Sequence, residues 1–375
     1  MAEAPLISFI FGYRNRDLGR VERCLRSLQR QRRGSFEIIF VDYGSSPEVA
    51  AEVRELVEEK LGIDYLYSDS RGWPWNRARA LNTGARVASG KYLATTDIDL
   101  IFPEDFVERL SEKVEVGQVL HIFPELLPRG FKNWDKPFEV GPLPSMGERA
   151  LGAFHLIERQ VYEGIGGFDE TFEFWGLEDD DLHRRERLIG LKHRTIEDLR
   201  LLHQWHPYAN YFTPGFLPDG YWLWLENHLY RNRNEAVRNA EGWGICLGAE
   251  QRPLLARIGQ EAVGWESWKE VRKIKPDPRL VLGLNEMVIE FDRAERGTIV
   301  AISGLDYPRV NGWVTRGMNQ LNELLLRIGW RTGIGYARSP VRDNLYMFLQ
   351  QRKDEVRDFY LGFGKRGETA LIWKD

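Results

Sequence analysis

The sequence predicts an α/β fold, in which helices flank a mainly parallel sheet and a smaller α/β or helical module follows. Three observations predict it. Short apolar runs typical of buried strands alternate with segments whose apolar residues recur at helical spacing. Turn-forming glycine, aspartate and serine residues follow the ends of several of these runs. The pattern changes beyond residue 250, so we expect one domain of residues 1–250 and a module of residues 251–375.

The first strand, Leu6–Phe11, ends at Gly12 and precedes a helix capped by Asp17. The apolar residues of that helix share one face: Leu18, Val21, Leu25 and Leu28. Further strands are predicted at Phe36–Val41, Ile63–Tyr67, Tyr92–Thr95 and Gly152–Ile157. Further helices are predicted at Glu48–Lys60, Trp75–Ala88, Glu178–Gly190 and Tyr221–Asn239. This alternation indicates βαβ units, and open sheets of that type bind ligands at the carboxyl ends of their strands.

Two regions carry less regular patterns. Residues 115–150 are rich in proline and glycine, which favours a connection over a helix or strand. Near the carboxyl end we predict a linker at 274–278 and a strand at Thr298–Ser303. Helices are predicted around residues 318–328 and at Asn344–Arg357. We find no internal repeat.

Composition excludes several classes of protein. The 375 residues carry a net charge of −4, which argues against general nucleic-acid binding. No run approaches the roughly 18 apolar residues that a membrane-spanning helix needs. The amino-terminal apolar run lacks a preceding positive charge, so we interpret it as a strand and not a signal peptide. Because two cysteines cannot build a disulfide framework, we expect a cytoplasmic protein.

Two aspartates, Asp97 and Asp99, come directly after the strand Tyr92–Thr95. Mg²⁺ and Mn²⁺ take oxygen ligands and commonly bind one or two carboxylates together with substrate phosphates. An Asp-x-Asp pair at a strand end would offer this arrangement to a nucleotide diphosphate. Aspartate pairs also cap ordinary turns, and the motif alone does not decide between the two interpretations.

Four consecutive acidic residues, Glu178–Asp181, follow an apolar stretch that contains Trp175. Such a run is usually the solvated start of a helix, where negative charge suits the helix dipole. A carboxylate beside the apolar stretch would instead be partly desolvated. Its pKa would then rise, which suits a general base.

Two further segments carry candidate ligands. His203 and His206 follow an apolar stretch, and a histidine near two aspartates would complete a divalent metal site. Either residue would otherwise be a structural hydrogen-bonding group. Arg77 and Arg79 lie on the predicted helix Trp75–Ala88, where an arginine would bind phosphate or simply be solvated.

Taken together and in this order, the motifs resemble those of GT-A glycosyltransferases, specifically the inverting family-2 type. The middle of the chain is most similar to β-1,4-galactosyltransferases and chondroitin-polymerase-like transferases. The similarity covers roughly residues 5–210. Its matching segments are Ile7–Tyr13, FEIIFVDYGSS (36–46), WNRARALNTG (75–84), TTDIDL (95–100) and GGFDETFEFWGLEDDDLHRR (166–185). The resemblance implies the Rossmann-like GT-A fold.

The resemblance also implies a donor site. Asp42 matches the acid that contacts the nucleoside, and Tyr13 lies at the end of the neighbouring strand as a further donor contact. Arg77 matches an arginine near the nucleotide. Asp97 is placed at the donor sugar or ribose, and Asp99 at the metal, Mn²⁺ or Mg²⁺. The later metal ligand would be His203 or His206, and the spacing does not decide which.

On the acceptor side, Trp175 matches a tryptophan between donor and acceptor. Glu178 matches an acceptor-binding acid, which we also count among the catalytic residues, and Asp179 matches the general base. Two positions depart from the family pattern. Leu177 replaces the usual second glycine before the acids, which would narrow the acceptor site. Tyr43 follows Asp42 where a second aspartate is common.

The resulting hypothesis is a metal-dependent, inverting hexosyl- or N-acetylhexosaminyltransferase of polysaccharide biosynthesis. It would move a sugar from a nucleotide diphosphate donor, a UDP-sugar, to a hydroxyl of a saccharide or glycoconjugate. Peripheral membrane contact and homodimerisation stay open. The alternatives are a non-catalytic saccharide- or nucleotide-binding protein, a retaining transferase, and a sugar-phosphate nucleotidyltransferase. The last would need a glycine-rich phosphate loop, and only Gly12–Arg16 follows the first strand.

Overall fold

The chain divides into two compact units, each with its own sheet. One unit comprises Met1–His206 with Leu229–Gly248, and the other Pro207–His228 with Ala249–Asp375. The computed structural model describes residues 5–70, 75–173, 176–206, 221–239, 242–248, 271–274, 284–305, 348–349, 352, 355–364 and 367–374. None of the helices in these ranges combines the length and the apolar character that crossing a bilayer requires.

A seven-stranded sheet forms the centre of the first unit. Its strands are β1 (Ile7–Tyr13), β2 (Phe36–Tyr43), β3 (Asp64–Ser68), β4 (Tyr92–Thr96), β6 (Gln118–His121), β8 (Phe154–Glu158) and β9 (Lys192–Thr195). They lie in the order β3-β2-β1-β4-β8-β6-β9. Only β8 runs against the other six, since it pairs antiparallel with both β4 and β6. The predicted α/β class with a mainly parallel sheet is confirmed.

Three shorter strands make a small second sheet in the same unit. They are β5 (Leu100–Ile101), β7 (Glu125–Leu126) and β10 (Leu202–His203), in the order β5-β10-β7. β10 pairs antiparallel with β5 and places His203 opposite Leu100. This pairing brings Leu202 and His203 next to the turn that follows β4.

Up to residue 231 the described chain contains seven α-helices, of which five begin within two residues of a predicted start. They are α1 (Leu18–Gln29), α2 (Pro47–Arg54), α3 (Arg77–Val87), α4 (Phe106–Ser111), α5 (Arg159–Gly164), α6 (Glu178–Leu188) and α7 (Tyr221–Arg231). Asp17 caps α1 as predicted, because its carboxylate accepts a hydrogen bond from the Arg20 amide at 2.9 Å. The helix predicted at Glu48–Lys60 is α2 followed by a π-helical turn, Glu55–Lys60.

Two apolar layers cover the faces of the sheet because inward-facing residues alternate along each strand. Phe9, Phe11 and Phe40 pack with α1 and α4 on one face. Ile10, Ile39 and Val41 pack with α3 on the other. Helix α3 approaches closely because Gly84 faces the sheet, where a Cβ would overlap the Ile10 side chain.

The structure differs from the predicted elements at β6 and β9. Residues 115–150 were expected to form a connection, yet Gln118–His121 joins the central sheet. Lys192–Thr195 forms its edge strand although three of its four side chains are exposed. Each strand is only four residues long and carries polar side chains, so neither shows an apolar run. Helix α7 also ends at Arg231, eight residues before the predicted end.

The second unit contains a four-stranded sheet, the part of helix α7 up to His228, and a further helix. Strands β11 (Val271–Ile274), β12 (Ile299–Leu305), β13 (Val356–Gly364) and β14 (Gly367–Lys374) lie in the order β11-β12-β14-β13. Helix α8 spans Leu284–Arg293. The strand predicted at Thr298–Ser303 is confirmed.

The other predictions for this unit are wrong in part or are not tested by the described residues. The predicted helix Asn344–Arg357 is wrong at its end, because strand β13 begins at Val356 and pairs with β14 in a hairpin. The helix predicted around residues 318–328 lies outside the described residues, as does the predicted linker beyond Ile274. Division of the chain at residue 250 stays a prediction.

Candidate active site

The turn between β4 and β5 carries both aspartates of the Asp-x-Asp motif. The Asp97 amide donates to the Ala153 carbonyl at 3.0 Å, and the Asp99 carbonyl accepts from the Gln204 amide at 2.9 Å. The turn is therefore held on one side by the residue before β8 and on the other by the residue after β10. Sequence positions more than 50 residues apart fix its geometry.

One side of this turn forms a compact group of candidate metal ligands. The Nε2 atom of His203 lies 3.4 Å from Asp99 Oδ1, and the Nε2 atom of His206 lies 3.2 Å from Asp99 Oδ2. One ligand atom from each residue lies within 4.8 Å of the others. Both histidines that the sequence left open thus meet the same aspartate.

The donor set fits a divalent cation. Asp99 Oδ1 is buried without a hydrogen-bond partner, which is a costly position for a carboxylate oxygen that binds nothing. Burial opposes ionisation of Asp99. The hydrogen bond from His206 and the charges of His203, His206 and Arg20 outweigh burial and hold its pKa at about 2. The group is therefore a carboxylate, the form that binds metal.

The other side of the turn forms a cluster of three carboxylates around Arg77. The guanidinium donates to Asp179 Oδ1 at 2.9 Å and to the Gly152 carbonyl at 2.6 Å. It also lies 3.5 Å from Asp97 Oδ1 and 3.9 Å from Glu178 Oε1. Asn76 caps α3 and so directs Arg77, the first helical residue, toward this cluster.

One arginine does not neutralise three acids. Burial raises the pKa of Asp97 to about 7, and repulsion from Asp99 and Asp179 adds to this against the opposing charge of Arg77. Burial and the Asp179 charge raise the pKa of Glu178 to about 7 as well. The cluster thus holds excess negative potential, and protons are exchangeable there near neutral pH.

The start of α6 positions Glu178 and Asp179. Leu177 precedes the helix with φ of 66°, a left-handed conformation that costs a non-glycine residue on the order of 1–2 kcal/mol. The Gly176 amide donates to the Glu178 carboxylate at 3.1 Å, which fixes the turn. This conformation gives the physical reason why a glycine would suit position 177.

Asp42 and Tyr13, the other predicted donor contacts, lie side by side at the carboxyl ends of β2 and β1. Both are fully buried. Asp42 accepts from the Ser45 amide and from the Tyr65 hydroxyl, each at 2.9 Å, and Tyr13 donates to the Arg16 carbonyl. Their contact with a nucleoside stays a prediction. Trp175 lies outside the described residues.

The sequence did not single out several residues that build the site. Arg20 lies 3.8 Å from Asp99, and Gln204 links α1 to β10 by accepting from Arg23 and donating to the Arg20 carbonyl. Gly152 contacts the Asp179 carboxylate closely enough that a Cβ there would overlap it. No local sequence signal marks these residues, because their partners are distant along the chain.

A second histidine-rich cluster was also missed. Four of the seven histidines, His121, His155, His183 and His193, meet around Glu186 beneath the acidic end of α6. Burial lowers the pKa of His121 to about 2 and lowers the pKa of His183 too. The imidazoles of His121 and His183 are therefore neutral at physiological pH.

Comparison with known protein families finds matches in residues 8–206, the part of the chain that carries the two clusters described above. Residues 8–171 match the family model Glycosyl transferase family 2. Residues 142–206 match the model for the N-terminal domain of galactosyltransferase. The two models overlap at residues 142–171, so together they cover both the Asp-x-Asp turn and the segment from α6 to β10.

Curated relatives show moderate identity over part of their length. Human chondroitin sulfate synthase 3 is 28% identical over 176 residues, which are 39% of this chain and 20% of that protein. Validoxylamine A glucosyltransferase from Streptomyces hygroscopicus subsp. limoneus is 27% identical over 228 residues, 51% of this chain and 49% of that protein. The chain thus spans half or less of the length of these two relatives.

Among solved structures, GalNAc-T7 with UDP, GalNAc and Mn²⁺ superposes with a TM-score of 0.43. It is 16% identical and covers 55% of this chain and 45% of that one. Residues 8–171 are thus similar to family 2 glycosyltransferases, and residues 142–206 are similar to the N-terminal domain of galactosyltransferases.

Proposed function

We propose that this protein is an inverting, metal-dependent glycosyltransferase that moves a sugar from a UDP-sugar to a saccharide hydroxyl. One observation carries the proposal: a carboxylate–histidine cluster and an arginine–carboxylate cluster flank the same Asp-x-Asp turn. The first cluster suits a cation with a diphosphate. The second suits a reacting sugar and the removal of a proton from an acceptor.

Asp99, His203 and His206 would hold the cation. Two imidazole nitrogens beside one carboxylate favour Mn²⁺ over Mg²⁺, since Mg²⁺ takes oxygen ligands almost throughout. A bound divalent cation would neutralise charge on the leaving diphosphate. Asp97, on the opposite side of the turn, would bind the donor sugar or ribose through its hydroxyl groups.

Asp179 would act as the general base. It takes the proton of the acceptor hydroxyl while the acceptor oxygen bonds to the anomeric carbon from the face opposite the leaving group. The bond from that carbon to the diphosphate oxygen breaks, and the nucleoside diphosphate departs with the bonding electrons. Configuration inverts because attack and departure take place on opposite faces.

Arg77 would connect the two halves of the reaction. Its guanidinium is shared among Asp97, Glu178 and Asp179. A donor phosphate that pairs with Arg77 would weaken its hydrogen bond to Asp179 and make that carboxylate a stronger base. Glu178 and Trp175 would bind the acceptor, and Asp42 and Tyr13 would shape the nucleoside site.

Replacing Gly152 by Ala tests how closely Asp179 must be placed. A methyl group there overlaps the Asp179 carboxylate, so the base has to move away from its position beside Arg77. We expect kcat to fall by about 10²-fold, because displacement of a reacting group by about 1 Å has that effect. Gly141→Ala is the matched control, since its Cβ meets no atom within 4 Å. Equal rates for the two variants would contradict the placement.

A donor screen tests the proposed function directly. UDP-, GDP- and dTDP-sugars are each incubated with the protein in Mn²⁺ and in EDTA, and nucleotide release and thermal shift are measured. We expect metal-dependent stabilisation and slow release with UDP-sugars. Stabilisation by nucleotide sugars without release under any acceptor would favour a binding protein. Pyrophosphate release from UTP and a sugar phosphate would indicate a nucleotidyltransferase.

A further inference from the structure

The histidine-rich cluster around Glu186 is built by four elements of the first unit. His121 ends β6, His155 lies in β8, His183 and Glu186 lie one turn apart on α6, and His193 lies in β9. The side chains of His121, His155 and His183 are at most 2% exposed, and Glu186 is fully buried. Nothing in the proposed transfer reaction uses these residues.

The polar atoms of the cluster converge on a small volume. His155 Nε2 lies 2.7 Å from Glu186 Oε1, and His193 Nε2 lies 3.5 Å from Glu186 Oε2. One ligand atom each from His155, His183 and Glu186 lies within 4.8 Å of the other two. Three donors with this spacing need only small side-chain rotations to meet one ion.

Hydrogen bonds inside the protein leave part of the cluster unsatisfied. His183 Nδ1 is buried without a hydrogen-bond partner, and so is Glu186 Oε2. A buried polar atom left without a hydrogen-bond partner destabilises the fold. Two such atoms within one buried cluster are consistent with a group outside the polypeptide that satisfies them.

Helix α6 is held in place mainly by polar contacts, such as those of Arg185 with the Ile165 and Gly167 carbonyls. Its sequence EDDDLHRRERL contains two leucines, and of these only Leu182 is buried. Its remaining buried residues are charged or polar, among them Asp181 and Arg185, which pair at 2.6 Å. Hydrophobic burial therefore cannot account for the docking of this helix, and polar contacts must do so.

We propose that His155, His183 and Glu186 bind a structural Zn²⁺ ion that fastens α6 to strand β8. Histidine nitrogens and a carboxylate oxygen are ordinary zinc ligands. Zinc bonds of about 2.0–2.1 Å place tetrahedral ligand atoms about 3.4 Å apart. The 2.7 Å distance between His155 Nε2 and Glu186 Oε1 would therefore lengthen on zinc binding, and ligand atoms farther apart than about 3.4 Å would move together. His193 is available as the fourth donor.

The surrounding contacts suit such a site. Thr95 Oγ1 lies 3.4 Å from His155 Nδ1, the ring atom that would not bind zinc, and such outer partners orient histidine ligands. His121 Nε2 lies 3.0 Å from His193 Nδ1 and so supports that ring. Like the Asp99 cluster, this one offers two imidazoles and one carboxylate, but here all three residues are at most 2% exposed.

The position of the ion gives it a consequence for the active site. Glu178 and Asp179 lie in the first turn of α6, and His183 and Glu186 lie in the next two. His155 follows Gly152, which contacts Asp179, by three residues along the approach to β8. An ion between His155 and His183 would therefore hold the acidic end of α6 against the Asp-x-Asp turn.

Metal content after dialysis tests the proposal. The full chain is loaded with Zn²⁺, dialysed against metal-free buffer, and its zinc is measured by inductively coupled plasma mass spectrometry. We expect about one zinc per chain to remain, and the same in His203→Asn, where the other cluster is disabled. His183→Asn and His155→Asn should each lose most of it. Co²⁺ loading should give a visible absorption band in His203→Asn that the double variant His203→Asn/His183→Asn lacks.

Two results would overturn the proposal: no retained zinc in the wild-type chain, or equal retention in His183→Asn. If the His155 and His183 variants do not fold, the zinc proposal is tested by thermal unfolding of His203→Asn with and without chelator. A bound structural zinc predicts a melting temperature lower by roughly 5 °C or more after chelation, and an unchanged value contradicts it. Loss of zinc in His203→Asn alone would assign the ion to the Asp99 cluster.

Discussion

Replacing Asp179 by Asn is expected to lower kcat by about 10²- to 10⁴-fold, the range that a general base contributes. The side chain keeps its size and one oxygen that can accept from Arg77, which donates to Asp179 at 2.9 Å. It loses the charge and the basicity that removal of the acceptor proton requires. Turnover is measured with the donor found in the screen, and donor binding by titration calorimetry.

Donor affinity should change little in this variant, because the base contacts the acceptor and not the nucleotide. Asp180→Asn is the matched control: it removes the neighbouring charge on the exposed side of α6. An unchanged kcat in Asp179→Asn contradicts the assignment. So does an equal loss in both variants, which would point to the overall charge of the helix start.

Replacing Asp99 by Ala is expected to abolish metal-dependent binding of UDP. Asp99 is the carboxylate that both His203 and His206 approach, at 3.4 Å and 3.2 Å. Replacing a residue that hydrogen-bonds to a metal ligand already weakens metal binding by about 10–100-fold. Replacing the ligand itself should therefore weaken metal-dependent UDP binding by more than about 100-fold. Titration calorimetry with UDP in Mn²⁺ and in EDTA measures the effect.

The matched control for this experiment is Asp64→Ala, at the exposed amino end of β3. It should bind UDP as the wild type does in Mn²⁺. In EDTA all three proteins should show the same residual affinity, because only the metal-dependent part is removed. Persistence of tight, Mn²⁺-dependent binding in Asp99→Ala would show that the cation is held elsewhere.

Strong apolar patterns made half of the fold predictable. β1, β2 and β4 are largely buried on both faces, so each is rich in apolar residues and is followed by a turn. α1 carries an apolar face and a capping aspartate. Strands β6 and β9 carry neither signal, since a four-residue strand gains most of its stability from the neighbours it pairs with.

The candidate site also has residues that the sequence predicted and contacts that only the fold revealed. Asp97, Asp99 and the acidic start of α6 were predicted because their residue types and positions after strands or before a helix are local properties. Which histidine meets Asp99 was left open by spacing and is answered by the pairing of β5 with β10, which brings both histidines to it. The roles of these groups remain proposals until the variants are measured.

The sequence by itself determined the alternation of strands and helices, the acidic residues that follow the strands, and the motifs between residues 8 and 206 that match the family models. Only the tertiary structure decided that Arg77 is shared among three carboxylates and that Gly152 makes room for Asp179. The same holds for the meeting of four histidines around Glu186. The physical reason is that a sequence pattern reflects interactions between residues close together along the chain. Each of these contacts instead joins residues that are distant in sequence and that meet only when the sheet and its helices pack.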